Sequence, residues 1–564
     1  MVESTHVVTP SSSMGRRLRL LAWMGILAGT LAAWALLVRI GFQMDQKTIL
    51  LRLWMCSALV MVFLSAIAWL LHTTPPWAIK LPPWLTVAII LIVAVGLRIA
   101  MMVWWVPTLS DDFFRYRRDG HVVIHGMNPY RYLPTDMAVG HPANWNLSYA
   151  QVASYPYDLM DRMSNNAQVP TIYGPVSEVL FGAAAWMEHH FVAAGRFHPR
   201  AVPPPRNTRR WYALFYQLGH NPRFWPYRGM HVLADVGVVI WLLLILAQMK
   251  RSLWWAVLYA WNPLPLIEIA GNGHLESPGV FFFMGAFWAG NKRNWGLAAA
   301  CLALALMVKI YAIIAVPVFV LWFFQETPVK NWRAGLQRLA RPAVIYILVT
   351  VACLLPFMTG LPDLYRTMRI YAQNWEFNGL LFHLLRWLAF EGNAGPIRPI
   401  LAVLWWGGMV VILAAAWRGR WPAPRVMGHT LMLYLMLMPQ VYPWYVLWPL
   451  ALLPLAWNSS TWIFSWTVLL SYQVWMIYHA TGQWRMSEWV FLVEWMPVVA
   501  LAFYQWGADG GWRLLRRRVV RHSMFGEGNW PSASRWCRWR RYGPTDFLDF
   551  RPKCVMPTER KDIL

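Results

Sequence analysis

Charged residues and cysteines are scarce in this chain of 564 residues. Only 13% of the residues are charged and 58% are hydrophobic, whereas soluble domains carry about 25% charged residues. This balance argues against a water-soluble protein and predicts that lipid is the solvent. The 5 cysteines include no CxxC pair, so neither a zinc site nor a disulfide framework is indicated. A glycine-rich nucleotide-binding motif is also absent from the sequence.

Tryptophan and basic residues are abundant instead. The 40 tryptophans suit a membrane–water interface, where one edge of the indole ring stays wet. The net charge of +25 could indicate nucleic acid, but the lysines and arginines cluster in short loops between apolar runs and in the C-terminal tail. That pattern is typical of topology determinants and of contacts with anionic lipids. Membrane lipids are therefore predicted partners, and nucleic acid is not.

The apolar runs predict an all-α polytopic membrane protein. A spanning helix needs roughly 20 apolar residues, and somewhat fewer where the bilayer thins. The first run has no cleavage site of small residues after it, so it is predicted to be a retained anchor. Counting every run gives about 14 transmembrane helices. The runs lie near residues 20–40, 49–71, 84–105, 229–249, 253–270, 277–290, 295–309, 311–324, 343–358, 398–417, 427–440, 445–457, 461–479 and 488–506.

Lysine and arginine predict the orientation of these helices, because short cytoplasmic loops carry an excess of both. Arg16, Arg17 and Arg19 precede the first run and are expected to stay in the cytoplasm. Three crossings then place the polar stretch 106–228 outside. The same alternation leaves the later basic clusters inside, namely 250–251, 292–293, 330–341, 418–425 and 513–521.

Two further segments resemble crossings but are predicted to be amphipathic helices on the outer interface. They cover residues 173–194 and 377–390, and counting the first as a crossing would move every later basic loop outside. In the first segment the side chains expected to face water are Glu178, Glu188, His189 and His190. The predicted organisation is a two-helix extension (1–83), a membrane catalytic domain (84–506, with the outer loop 106–228) and a basic cytoplasmic tail (507–564).

The unusual polar residues gather on one side of this topology, at outer helix ends and in outer loops. Packing alone does not explain that convergence, because unrelated polar insertions should scatter over both faces. The clusters are SDDFFRYRRDGHVVIHGMNPYRYLP (110–134), PTIYGP (170–175), NGHLE (272–276), Lys309, YAQNWEFN (371–378) and PQVYPWY (439–445).

Asp111 and Asp112 follow the third apolar run, and their basic neighbours, including Arg115, favour ionised carboxylates. One of the two aspartates is a candidate general base for a sugar hydroxyl. The pair could instead bind a divalent cation, although no further metal motif accompanies it. The structural alternative is an N-cap with ion pairs, since aspartate in a first helical turn is commonly that.

Arg98 lies inside the third apolar run, where a charge costs about 2.5–3.5 kcal/mol near the helix centre. Snorkelling to the outer interface and binding of a phosphate are both consistent with its position, and Asp235 is an alternative partner. Lys309 occupies a tight return between two short runs, with the same two interpretations. A lipid-linked phosphate at the outer surface would supply either cation with a partner.

A second outer return carries Glu268, Asn272, His274 and Glu276. An ionisable residue such as Glu268 in an apolar helix is a candidate functional residue, and a buried protonated carboxyl or a helix cap is the alternative. His274 could donate to a phosphate or transfer protons, or be structural. Aromatic side chains in the outer clusters could belt the interface or stack on a sugar; these are Tyr173, Trp375, Tyr442, Trp444 and Tyr445.

The segment SDDFFRYRRDGHVVIHGMNPYRYLP resembles the first-loop signature of bacterial GT-C-type membrane glycosyltransferases. Within that class the chain is most similar to polyprenyl-phosphate-mannose-dependent mannosyltransferases, including those of glycosyltransferase family 87. PTIYGP, WNPLPLIEIAGNGHLES, the Lys309–Ile310–Tyr311 return, NWEFN and YPWYVLWPL follow in the order such proteins show. The resemblance covers about residues 84–457. Two departures are Arg118, where the group commonly has Trp, and Glu276, where Asp is usual.

The resemblance implies a GT-C-like helix bundle with outer juxtamembrane helices around the site. It also implies transfer of mannose or another hexose from a polyprenyl-phosphate donor to a lipid- or glycan-linked acceptor, usually with inversion. Asp112, or else Asp111, matches the general base. The residues expected to bind substrate are Arg98, Arg115, Asn128, Tyr130, Tyr173, Glu268, Asn272, His274, Glu276, Lys309, Trp375, Asn378 and Trp444.

The expected location is the inner membrane, with the active site on the periplasmic, extracytoplasmic face. The alternative function is a lipid-carrier flippase or solute transporter of similar helix count. Such a protein would hold its ionisable residues near the bilayer midplane, often on broken helices in related halves.

Overall fold

The computed structural model describes residues 12–40, 46–73, 81–107, 109–135, 161, 164–192, 221–327, 331–390 and 392–516. Nearly half of the outer loop and most of the predicted tail lie outside these residues. The described part is helical and contains no β-strand. Its α-helices before residue 330 are α1 (Ser12–Ile40), α2 (Gln46–Thr73), α3 (Pro83–Trp104), α4 (Asp112–Ile124), α5 (Pro175–Met187), α6 (Trp225–Gln248), α7 (Glu276–Asn291), α8 (Trp295–Val308) and α9 (Ala315–Glu326).

Short helices connect some of these elements. The segment between α6 and α7 is broken into Leu253–Ala256, Val257–Ala260, Pro263–Pro265 and Leu266–Gly271, because Pro263 and Pro265 cannot continue a regular helix. The later helices are α10 (Trp332–Leu354), α11 (Leu361–Asn374), α12 (Leu380–Leu388), α13 (Ile397–Gly419), α14 (Ala423–Leu437), α15 (Leu447–Leu452), α16 (Ser459–Thr467), α17 (Gln473–Thr481), α18 (Glu488–Ala508) and α19 (Gly511–Arg516).

Six helical stretches in the described part are long and apolar enough to cross a membrane. This confirms the prediction of an all-α protein with membrane-spanning helices, but it does not confirm a count of about 14. Several predicted runs are short or interrupted, for example 445–457 and 461–479. The six stretches are Leu50–Thr73, Pro83–Trp104, Pro222–Gln248, Arg333–Asn374, Ile397–Gly419 and Glu488–Ala508.

The two N-terminal helices pack into the same hydrophobic core as the rest of the bundle. The Trp34 indole N–H donates to the Trp261 carbonyl over 3.1 Å. The Trp54 indole N–H donates to the Leu469 carbonyl over 2.9 Å. The predicted division at residue 83 therefore does not coincide with a break in packing.

Arg98 is fully buried and joins three elements of the bundle. Its guanidinium lies 2.6 Å from the Asp235 carboxylate and also donates to the Ala260 carbonyl over 3.0 Å. The Tyr259 hydroxyl donates to the other oxygen of Asp235 over 2.6 Å. Arg98 on α3 is thus paired with α6, the partner that the sequence offered as an alternative. It neither snorkels to the interface nor faces a phosphate site.

The segment 173–194 is helical as predicted, but two of its side chains point the other way. Glu178 and Glu188 are buried, whereas His189 and His190 are exposed. Glu188 accepts from the Arg117 guanidinium over 2.9 Å, and His121 lies 2.9 Å from its second oxygen. The prediction that both glutamates face water is wrong, because α4 supplies cationic and hydrogen-bonding partners on the inner side.

The segment 377–390 also differs from its prediction at one end. Its helix, α12, covers only Leu380–Leu388. Phe377 and Asn378 precede the helix and form isolated bridges with Gln440, with Asn378 in the left-handed region at φ 53°. The next residue, Gly379, packs directly on the carbonyls of residues 438–439. This contact brings two of the predicted outer clusters side by side.

Gly120 marks the close crossing of α4 and α5. A Cβ atom there would clash with the carbonyl oxygen of Phe181, which belongs to the backbone and cannot move aside cheaply. We expect Gly120→Ala to destabilise the fold by about 1–3 kcal/mol through overpacking, measured as thermal unfolding of the detergent-solubilised protein. Gly96→Ala on α3 is the matched control, since no atom lies within 4 Å of its added Cβ. Equal melting temperatures for the two variants would contradict this account of the crossing.

Candidate functional site

A cavity of about 1310 Å³ lies where the loops and helix ends of the bundle meet. It receives at least one residue from each of the six polar clusters singled out in the sequence. The predicted site residues that line it are Asp111, Asp112, Tyr173, Glu276, Lys309, Trp375 and Trp444.

The two aspartates occupy the start of α4. Asp111 is the N-cap residue, yet its side chain makes no capping hydrogen bond. Instead the Asn165 amide donates to both carboxylates, over 3.0 Å to Asp111 and 2.7 Å to Asp112. The carboxylates are therefore directed towards the cavity and are not used to cap the helix.

The environment of the pair also changes its acidity. Burial, and then the charge of Asp112, raise the pKa of Asp111 to about 6, although the hydrogen bond from Asn165 acts in the opposite direction. A carboxylate with such a pKa accepts a proton more readily than an ordinary aspartate. The side chain of Asp112 is 21% exposed, so it is open to a molecule in the cavity.

His274 lies directly behind Asp112. Its Nε2 atom is 4.0 Å from Asp112 Oδ2, and its Nδ1 atom is 2.8 Å from Glu268 Oε2. Glu268 in turn accepts from the Tyr472 hydroxyl over 2.7 Å. Burial lowers the pKa of His274, but the hydrogen bond and charge of Glu268, followed by the charges of Asp112 and Glu276, outweigh it and raise the pKa overall. The imidazole thus favours a positive charge beside Asp112.

Lys309 lines the same cavity and is joined to the histidine side of the site through Glu276. It is the residue between α8 and the 3-10 helix Ile310–Ile314, in an extended conformation that turns the chain. Its ammonium group forms an ion pair with Glu276 and lies 4.3 Å from the Tyr445 ring centroid. The second carboxylate oxygen of Glu276 is buried and has no hydrogen-bond partner within the described ranges. The site therefore contains a partly exposed cation with its own counter-ion.

Two further cations line the cavity and were missed in the sequence. Arg369 is an exposed residue of α11, and no ion pair to it is found among the described side chains. Arg398 donates to the carbonyls of Ala372 and Trp375 and so holds the end of α11. The helical period was the available signal: Tyr365, Met368, Arg369 and Ala372, which line the cavity, lie at positions i, i+3, i+4 and i+7.

Arg98 and Arg115 lie outside the lining of this cavity, which corrects their assignment as phosphate ligands. The Arg115 guanidinium contacts the Asp119 carboxylate at 3.2 Å and donates to the carbonyls of Asn165 and Val169. Because every one of these groups is already a good acceptor, Arg115 has a structural task. It holds the loop that presents Asn165 to the two aspartates.

Asn128 and Tyr130 support the site from outside its lining. The Asn128 amide donates to the Phe357 carbonyl and to the Thr359 hydroxyl. The Tyr130 hydroxyl donates to the Tyr173 carbonyl over 2.8 Å. Their expected contact with substrate is therefore replaced by a role in holding the loop of Tyr173.

Glu268, Asn272 and Asn378 are likewise one layer removed from the cavity. The Asn272 amide oxygen accepts from the Trp105 indole over 3.3 Å. The Asn378 amide donates to the Glu494 carboxylate over 2.6 Å and accepts from Trp495 over 3.0 Å. The contacts of Glu268 and Asn272 are buried and those of Asn378 are half-buried. None of the three residues lines the cavity, so the structure places them as supports of their neighbours.

Trp444 lines the cavity, and both faces of its ring are covered. One face stacks on the His274 ring with centroids 3.7 Å apart, and the other on Tyr442 at 4.7 Å. Tyr442 is in turn stacked on Phe377 at 4.9 Å. Sugar stacking, one of the two interpretations of Trp444 and Tyr442, would require one of these neighbouring rings to move, and substrate binding by Trp444 stays a prediction. Trp444 instead fixes the plane of His274.

Metal ligands are not evident beyond the aspartate pair. No group of three or more His, Cys, Asp or Glu side chains in the described part of the chain is arranged to hold a metal ion. Asp111 and Asp112 still offer neighbouring carboxylate oxygens, the ligands that Mg²⁺ and Ca²⁺ prefer. A requirement for a divalent cation stays a prediction.

No protein-family model matches the chain, and no curated protein sequence matches it significantly. The motifs and the geometry of the cavity are therefore the basis for a function.

Proposed function

We propose that this protein is a GT-C-type membrane glycosyltransferase. It transfers a sugar, mannose or another hexose, from a polyprenyl-phosphate donor to a lipid- or glycan-linked acceptor. The observation that carries the proposal is the meeting of Asp111 and Asp112 with the Lys309–Glu276 pair in one large cavity. A base and a cation within one cavity are what the transfer of a sugar from a phosphate requires.

In the proposed reaction Asp112 accepts the proton of the acceptor hydroxyl. The hydroxyl oxygen forms a bond to the anomeric carbon while the bond from that carbon to the phosphate oxygen breaks. Polyprenyl phosphate leaves with the electron pair of the broken bond. His274, 4.0 Å from Asp112, favours the ionised carboxylate before reaction, and Asn165 holds both aspartates in place.

The leaving phosphate needs positive charge, which cationic residues of the cavity lining supply. Two opposite unit charges 4 Å apart gain about 4 kcal/mol at an effective dielectric constant of about 20. Lys309, Arg369 and Arg398 all line the cavity. Because Glu276 already neutralises Lys309, the additional arginines favour binding of a donor that brings its own negative charge.

One side of the cavity is apolar and fits a lipid-linked donor. Ile310 and Ile313 line it and are 58% and 48% exposed, and Leu401 and Trp405 of α13 lie in the same lining. Exposed aliphatic side chains beside a charged site are unfavourable in water but favourable against hydrocarbon. The polyprenyl chain is thereby expected to remain in the bilayer while its phosphate enters the cavity.

The proposed topology keeps about 14 crossings in the inner membrane, with the cavity on the periplasmic, extracytoplasmic side. Basic clusters at the opposite helix ends support this orientation. A flippase or transporter would place ionisable residues around a path at the bilayer midplane. Here the charged lining residues lie at helix ends and in loops, as Asp112, Glu276 and Lys309 do, which favours the enzyme.

Transfer is expected to depend on pH through the aspartate pair. A general base acts in its deprotonated form, and Asp111, the alternative to Asp112 as the base, binds a proton as the pH falls through about 6. If Asp111 is the base, we expect the rate to be maximal above about pH 7 and half-lost near pH 6, instead of near pH 4 as for an ordinary aspartate. Initial rates across this range test the sign, with thermal unfolding at each pH as the control for loss of fold. A rate that does not change between about pH 5 and about pH 8 would contradict it.

The direct test uses the purified protein in lipid nanodiscs with a radiolabelled polyprenyl-phosphate mannose and candidate acceptors. The expected result is label in a new product together with free polyprenyl phosphate. A parallel reaction with EDTA determines whether a divalent cation is needed. Movement of intact donor across proteoliposomes without cleavage would replace the proposal by a flippase.

A further inference from the structure

Three aromatic side chains of the cavity lining lie close together. They are Trp475, Tyr478 and Trp484, and they are here called the aromatic mouth. Trp484 meets Trp475 at 5.1 Å and Tyr478 at 5.5 Å between ring centroids, both edge to face. Trp484 is 41% exposed and Tyr478 is 40% exposed. Unlike the covered rings of Trp444 and Tyr442, these rings therefore present surface to a molecule that enters the cavity.

The aromatic mouth is tied to the catalytic aspartates. The Trp475 indole N–H donates to the Leu109 carbonyl over 2.9 Å, two residues before Asp111. Phe377 connects the mouth to the interior, since its ring lies 5.8 Å from that of Trp484. A molecule held at the mouth is thus next to the loop that carries the proposed base.

Beside the aspartate pair, the mouth has an uncharged hydrogen-bonding group in the amide of Gln440. Gln440 lines the cavity, is 6% exposed, and its Oε1 atom has no partner among the described residues. An unpaired buried amide oxygen is costly, so a ligand hydroxyl that donates to it would be favoured. The lining residues contributed by this part of the chain carry no charge; they are Ser471, Tyr472, Val474, Trp475, Tyr478 and Trp484.

Charge is therefore divided within the cavity. The cations that suit a donor phosphate come from Lys309, α11 and α13, whereas the mouth combines aromatic surface with a neutral acceptor atom. An anionic headgroup would gain no ion pair with the residues of the mouth. A hexose ring would, because its C–H face packs on aromatic rings and its hydroxyls donate hydrogen bonds.

We propose that the aromatic mouth binds the acceptor through a neutral hexose unit, packed on Trp484 and Tyr478 with its reacting hydroxyl towards Asp112. This inference rests on the proposed function and adds to it the class of acceptor: a glycan-terminated molecule, not a phosphate or a simple lipid alcohol. The mouth lies beyond residues 84–457, so the motifs that resemble the glycosyltransferases do not assign it.

The experiment compares octyl α-mannopyranoside with octyl phosphate and octanol as acceptors for the full-length protein in nanodiscs. Trp484→Ala and Tyr478→Ala are each expected to raise the KM for octyl mannoside roughly fivefold, the equivalent of one aromatic contact, without changing the KM for the donor. Trp484→Phe is expected to restore most of the affinity. Trp489→Ala is the matched control, because Trp489 is 60% exposed but does not line the cavity.

Binding of octyl mannoside is measured separately by saturation-transfer NMR, which needs no turnover. If wild type transfers sugar and the mouth variants leave the acceptor KM unchanged, the rings only belt the interface and the inference is overturned while the proposed function stands. Preferred use of octyl phosphate over octyl mannoside overturns it as well. If mannoside binds and binding is lost in Trp484→Ala, but no donor is cleaved, the carbohydrate site stands and the proposed function fails.

Discussion

Asp112→Asn is expected to reduce sugar transfer by about 10²–10⁴-fold, the contribution of a positioned general base. The amide keeps the shape of the side chain, and Ser110 and Asn165 remain to hold the start of α4. The loss should therefore appear in kcat, with little change in the KM for the donor. Initial rates with labelled polyprenyl-phosphate mannose provide the measurement.

Two further variants test whether the loss of transfer is specific to Asp112. Asp363→Asn is the matched control, because Asp363 lies in the first turn of another helix, α11, and does not line the cavity. Asp111→Asn separates the two members of the pair: a larger loss there than in Asp112→Asn would transfer the role of base to Asp111. Full activity in both variants would remove the aspartates from the mechanism.

Arg98→Met is expected to destabilise the protein by about 3–5 kcal/mol, because it leaves the Asp235 carboxylate buried without its counter-charge. Both side chains of the pair are fully buried, and within the described part of the chain the Tyr259 hydroxyl is the other donor to that carboxylate. Thermal unfolding of the detergent-solubilised protein, followed by size-exclusion chromatography, measures the effect.

The double variant Arg98→Met with Asp235→Leu should regain much of the lost stability, since removing both charges avoids the unpaired one. Arg293→Met is the surface control: the Arg293–Glu326 pair is 66% and 40% exposed, and such pairs contribute about 0–1 kcal/mol. If Arg98→Met unfolds at the same temperature as the wild type, the ion pair is not a determinant of stability. Loss of transfer without loss of stability would instead return Arg98 to the site.

The position of the aspartates shows how much of the site local sequence can predict. Asp111 and Asp112 directly follow an apolar run and precede arginines, so a polar start to a juxtamembrane helix was predictable from period and composition alone. The topology derived from Lys and Arg placed Lys309 and the His274 return on the same side as this pair. The structure brings all of them to one cavity.

The burial and the contacts of single side chains were not predictable from local sequence. Glu178 and Glu188 belong to an amphipathic pattern that favours water, yet both are buried. Glu188 pairs with Arg117 and His121 of α4, and Glu178 accepts a hydrogen bond from Thr171. Arg369 belongs to a helix whose apolar period was visible in the sequence. Whether Arg369 lines the cavity, however, depends on which face of that helix is turned towards the cavity. Such choices depend on contacts between residues far apart in the chain.

The amino-acid sequence by itself predicted a protein with lipid as its solvent, an all-α fold and the gathering of the polar motifs on one side of the helix bundle. Each of these follows from local hydrophobicity and charge, which act over one or two helical turns. Tertiary structure alone decided that Arg98 pairs with Asp235, that Trp444 covers His274, and that the exposed rings lie at residues 475–484. The physical reason is that a buried charge or ring is satisfied by its nearest partner in space, which no local pattern specifies.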